Sequence, residues 1–411
     1  MTVITEQFNG NVYIVIPGYI GDKKLEKALT KLSAPEASSQ ELIKEMTSRI
    51  ESEISSHVHR SLKRYCLGSY KLACFDDLEC CSEEGRYEQM EIVATVDENT
   101  RLVVVMLVLQ NKQFMVSQLL DRVSADKLIL KLDNGRCCNI SQYLFNKFGI
   151  HLLSSAAKTC LSTRKNIPED ILPSYLASET YNSEDMNAQI VSPEVEEQIS
   201  ANIAQYDSSD IYAGKNCVLR VDRRPGEHDV ATLASDTVFL FILEILAFKE
   251  SAVLRTNTKT IEAISDSKLL EMTTMDQLTS EFSLTMPFWD IQIFHYVTAQ
   301  NLANKLDNSF GIEKHFTTYD NNQQFLQHKI NIRQAIQQGN EDKILFLIAL
   351  ILFVFEIAPY LFTLFQRLLD AKWYSLSEIY SILGSGVSTW LLVLLIVMII
   401  KQRKRRNGPR S

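Results

Sequence analysis

The chain is 411 residues long, 46 % apolar and 22 % charged, with 14 Gly and 9 Pro, a composition that excludes a disordered or collagen-like polymer. Its net charge of −8 is uneven, because the last eleven residues hold Lys401, Arg403, Lys404, Arg405, Arg406 and Arg410 and no acid, which leaves −14 for residues 1–400. An acidic body of this kind excludes unselective nucleic-acid binding, which needs a basic surface.

Residues 1–163 mix two periodicities. Asn11–Ile16 (NVYIVI), Gln89–Val96 and Arg101–Gln110 (RLVVVMLVLQ) are β-branched runs that predict strands. Ser39–Tyr65 instead places Leu42, Ile43, Met46, Ile50 and Ile54 at helical spacing. An α/β domain is the simplest reading. Residues 164–210 turn polar and acidic, with Pro168, Pro173 and Pro193, and read as a linker.

From 211 to 342 the chain reads as a short strand, Cys217–Val221, followed by long helices. Ala231–Asn257 carries Val238, Phe239, Ile242, Ile245, Leu246 and Val253 at steps that build a broad apolar face. Asp236, Glu244, Lys249 and Glu250 interrupt it too often for a membrane helix. Further helices are expected over Trp289–Phe310 and Tyr319–Gln338, the last running close to or into the apolar segment beyond, with Gly339 and Asn340 permitting a break.

Ile344–Phe365 (ILFLIALILFVFEIAPYLFTLF) is apolar but for one ionisable group and spans roughly 33 Å as a helix, and Ile382–Ile400 carries no charge and covers roughly 28 Å. Residues 343–400 are therefore expected to form a two-span membrane hairpin, with 401–411 as a basic cytoplasmic tail that sets the orientation. No signal peptide is visible at the N-terminus. Both termini are then placed on the cytoplasmic side of a bacterial inner membrane, or on the matrix side in a mitochondrion, as a multi-pass integral protein. The eight cysteines, none in a CxxC pair, would lie in a reducing compartment without structural disulfides or a zinc site.

Within the first span, Glu356, Tyr360, Thr363 and Arg367 follow steps of four, three and four and form one polar stripe, read as an ion pathway. An intramembrane carboxylate costs roughly 2.5 to 3.5 kcal/mol and by default marks function, the bland alternative being a protonated packing residue. Leu352 and Phe353 would be an apolar gate below it, and Pro359 a hinge. Lys215, Arg220, Arg223 and Arg224, just ahead of a helix start, are a candidate anion or ligand site, against the commoner solvated charged turn. No metal site or catalytic constellation is legible: His57 and His59 point to different helix faces, and neither GxGxxG nor GxxxxGK[ST] occurs.

The order of a mixed N-terminal domain, long helices and a C-terminal hairpin resembles the CorA-like family of magnesium-transporter-type membrane proteins. From Met286 onward, MPFWDIQIFHYVTAQNLANKLDNSFGIEKHF, the chain is also similar to the required-for-meiotic-nuclear-division family of inner-membrane proteins. The first resemblance implies a homo-oligomer, a tetramer or pentamer, conducting cations under control of its cytoplasmic domain. Its Gly-Met-Asn tripeptide has no counterpart in Phe362–Leu369, FTLFQRLL. The second implies a non-conducting membrane-anchored scaffold, and the arginines suggest a third reading, a membrane effector gated by a nucleotide signal. The expected partners are membrane lipid, further copies of the chain and a small-molecule or nucleotide ligand. No enzyme activity and no cofactor are expected beyond a divalent cation as permeant or regulatory ion.

Overall fold

The computed structural model describes, apart from single positions, residues 8–21, 62–73, 87–114, 125–132, 134–167, 201–223, 229–266, 270–290 and 293–369. Its centre is one ten-stranded sheet made of β1 (Phe8–Ile20), β2 (Leu62–Ala73), β3 (Tyr87–Asp97), β4 (Leu102–Phe114), β5 (Ile129–Lys131), β6 (Cys137–Asn139), β7 (Ile150–Leu152), β8 (Lys158–Thr163), β9 (Ser209–Ala213) and β10 (Cys217–Asp222). The order is β6-β5-β2-β3-β4-β1-β8-β10-β9, with β7 paired to the end of β1. All pairs are antiparallel except β8 with β10. The β-branched runs read from sequence form β1, β3, β4 and β10, each longer than predicted because ladder pairing carries polar residues at the ends. Leu62–Tyr65, assigned to a helix by periodicity, opens β2 instead, and residues 39–61 lie outside the described residues.

Alternation along the strands divides the interior in two. Val12, Ile14 and Ile16 of β1 and Val103, Val105 and Leu107 of β4 face one core, covered by α1 (Ile140–Phe148) through Ile140, Leu144 and Phe148. That helix is fixed at both ends: the Asn139 side chain accepts from the amides of Ser141 and Gln142, and Gly149, at φ 76°, closes the other end. Tyr13 and Val15, with Val104, Met106 and Val108, face the second core. There α2 (Asp229–Ser265) lies on the sheet, followed by α3 (Met272–Ser283), a 3₁₀ turn at Met286–Phe288, and α4 (Val297–Phe310). The helix expected from Trp289 thus starts eight residues later. The polar stretch at 164–210 leads back into the same sheet, where β10 pairs with β8.

The chain divides into two compact units, 1–327 and 328–411. The last described helix, α5 (Ile312–Leu369), contributes its first residues to one and the rest to the other, and runs without a break through Gly339 and Pro359. Among the described residues no helix is long and apolar enough to cross a membrane. This corrects the expected hairpin and, with it, the multi-pass inner-membrane placement and the membrane-channel description. Glu356 ends the uninterrupted apolar run of residues 344–355, twelve residues and roughly 18 Å of helix, short of the ~30 Å of a hydrocarbon core. The run is the continuation of a helix whose first half is polar. Apart from Gly384, the second expected span lies outside the described residues, as does the basic tail.

Candidate functional site

The four charges that interrupt α2 are all buried, and each meets an opposite charge. Arg64 of β2 donates to Glu244 at 2.6 Å, with side chains 3 % and 1 % exposed, and Thr95 Oγ1 donates to the other carboxylate oxygen at 2.9 Å. Lys158 of β8 lies 3.1 Å from Glu250, with His315 Nε2 at 3.6 Å on the same carboxylate. Burial holds Glu250 above the usual carboxylate range and Lys158 below the usual lysine range, each opposed by the charge of the other. Lys249 pairs with Asp307 of α4 and stands 4.6 Å over the Trp289 ring. Asp236 takes Arg220 of β10 on one oxygen, together with Ser162 Oγ at 3.1 Å, and the Tyr13 hydroxyl at 2.9 Å on the other. Burial pushes the Tyr13 phenol far up, so it stays a donor.

Arg220 also lines a cavity of about 340 Å³ at the β9 and β10 edge of the sheet. Its walls come from Ile211 of β9, Phe239 and Ile242 of α2, and Ala299 and Leu302 of α4. Tyr206 and Tyr296 stand at the rim, where the Tyr206 hydroxyl meets Thr298 Oγ1 at 2.9 Å. Arg220 lies 5.8 Å over the Phe239 ring, with a second carboxylate, Asp222, 3.9 Å from the guanidinium. Arg220 is the one charged side chain among these lining residues, and both carboxylates engage it. The cavity can thus accept a flat, largely apolar body.

The four basic residues singled out from sequence do not converge. Arg220 is buried in the floor, Arg223 is exposed and pairs with Asp210, Lys215 is exposed at the opposite end of β10, and Arg224 lies outside the described residues. The proposed ion-pathway residues all fall on α5. Thr363 Oγ1 donates to the Pro359 carbonyl at 2.7 Å, Leu352 and Phe353 are exposed, and Arg367 is half-buried. The side chains of Glu356 and Tyr360 lie outside the description. Among the described residues no group of His, Cys, Asp and Glu could hold a metal ion, and the five described cysteines are free thiols.

Sequence reasoning missed Tyr13, Ser162, Tyr206, Asp236, Phe239, Tyr296 and Ala299 as members of this region. One signal was present: charges in an otherwise apolar helix must find partners if that helix is buried. A second cavity, of about 300 Å³, opens beside the β3–β4 turn between Arg101, Arg255 and Glu281. Its guanidinium at Arg255 donates to the Thr100 carbonyl at 2.7 Å and stacks 5.2 Å over Tyr19. The chain matches no protein-family profile, no curated protein and no solved structure.

Proposed function

We propose that residues 1–327 are a small-molecule-binding module without catalytic activity, whose ligand is an uncharged or cationic ring compound. The observation that carries this reading is the floor of the 340 Å³ cavity, where Arg220 is shared by Asp222 and Asp236 beneath aromatic walls. A nucleotide or other phosphate would have to compete with Asp222 and Asp236 for Arg220, whereas a ring stacks on Phe239, Tyr206 or Tyr296. The volume falls at the lower end of ligand sites, which run from roughly 300 to 1,000 Å³, so the body is about the size of an indole with a short side chain.

A charge series tests the class. Indole, tryptamine and indole-3-acetate share one ring and differ in charge, and their binding to the full chain can be ranked by saturation-transfer NMR. Tryptamine should bind roughly tenfold or more tighter than indole-3-acetate, about 1.4 kcal/mol. Tighter binding of the acetate would overturn the reading and return the site to an anion.

A further inference from the structure

The second cavity, of about 300 Å³, is built from other elements and a different chemistry. The β3–β4 turn forms one wall, the later half of α2 another, and α3 with Leu284 and Thr285 the third. Among the described residues that line it, Arg101, Arg255 and Glu281 carry charge, and both arginines are half-buried.

The turn fixes Arg101. Its N–H donates to the Asp97 carbonyl at 2.8 Å and its own carbonyl accepts from the Ile20 N–H at 2.9 Å, which holds the backbone from both sides at φ 62°. A left-handed residue closing a hairpin turn is ordinarily glycine, because a Cβ there crowds the neighbouring carbonyl. The Asp97 carboxylate is engaged in the same turn, accepting from the N–H and the hydroxyl of Thr100. Glycine at 101 would make every one of these backbone bonds. The turn therefore has no use for a side chain at this position, whereas the cavity it lines does.

Arg255 reaches the same turn from α2. Its Nη1 donates to the Thr100 carbonyl at 2.7 Å, and the guanidinium carbon lies 5.2 Å from the centre of the Tyr19 ring. Glu281 has a cation of its own: one oxygen accepts from Lys259 at 2.6 Å and the other from Gln277 at 3.0 Å. Burial pushes its carboxyl up, but the bonds from Lys259 and Gln277 and the charges of Lys259 and Arg255 outweigh burial and hold it below the usual carboxylate range. The field at this wall favours negative charge.

We infer that this cavity binds a small organic phosphate, with the anionic head between Arg101 and Arg255 and the body against Leu102, Ala252 and Leu284. Two guanidiniums match a dianion in charge, and the planar fork of each suits phosphate oxygens. The two cavities share no lining residue, so this assignment does not rest on the reading of the first.

Isothermal titration of glycerol 3-phosphate, glycerol and inorganic phosphate into the full chain separates head from body, with probes that carry no ring for the other cavity. Glycerol 3-phosphate should bind roughly tenfold or more tighter than either. Arg101→Gly and Arg101→Gln should each weaken it by tenfold or more, and Arg101→Gly should match or exceed the wild-type Tm, because it relieves the left-handed backbone. Equal affinity for inorganic phosphate would leave an inorganic-anion site only and overturn the inference, as would no preference over glycerol. Undiminished binding in both variants would place the phosphate elsewhere, such as on the basic residues between Lys401 and Arg410, with the same result. Loss of binding together with a lowered Tm in both variants would make Arg101 a structural residue and overturn it equally.

Discussion

Arg64 and Glu244 are separated by 180 positions in the sequence and meet with almost no exposed surface. Removing one partner leaves a charge in the core without its counter-ion, whereas replacing both leaves ordinary apolar packing. Glu244→Leu should therefore lower stability by about 3 kcal/mol or more in urea titration, and the Arg64→Met, Glu244→Leu double variant should recover most of it. An additive double variant would show that the two side chains do not interact. Glu250 supplies a pH signature. Burial raises it above its ordinary 4.5, so above that value the folded chain still holds a proton that the unfolded chain has released. Stability contributed by Glu250 is thus present in acid and is lost as pH rises through the folded value. Lys158 is lowered, so its own contribution rises with pH near the lysine range, while His315 and Lys215 oppose the shift of Glu250. Glu250→Gln should flatten the fall in Tm as pH rises above about 4.5. An unchanged slope would assign that fall to other groups.

At the scale of elements, the sheet and α2 act as one block. Ser251 Oγ donates to the Gly18 carbonyl at 2.9 Å, and α2 places charges against β2, β8, β10 and α4. Gly10 marks how closely β1 and β8 approach, since a methyl at its Cα would collide with the Ser162 carbonyl oxygen. Gly10→Ala should cost roughly 1 to 3 kcal/mol and disturb the Ser162 to Asp236 bond under the cavity, read as lost amide protection along β8. Retained protection would mean that the strands part without harm. The strands themselves were legible, because Val, Ile and Tyr in unbroken runs have few other uses. So was α2, from its apolar steps, with its ends at Asp229 and Ser265 rather than Ala231 and Asn257. Its four charges read as interruptions because their partners lie far away in sequence, as Tyr13 does from Asp236 by 223 positions. Local pattern carries no information on such pairing. The apolar run in α5 was visible too, but its length as a membrane helix was overread across Glu356 and Pro359.

At the scale of the whole molecule, the proposed ligand binding belongs to residues 1–327. The four basic residues looked like a phosphate site as a string, and only the sheet revealed that Arg220 is enclosed by Asp222 and Asp236 while Lys215 lies between β9 and β10, at the other end of β10. The location of the ligand is the central claim, and Ala299 is the residue through which to test it. It lines the cavity from α4 and takes part in none of the ion pairs beneath the floor. A tryptophan there fills much of the space. Isothermal titration of tryptamine into the full chain, wild type against Ala299→Trp, should show binding in the first and a loss of tenfold or more in the second. Equal affinity in both would place the ligand elsewhere and contradict the account.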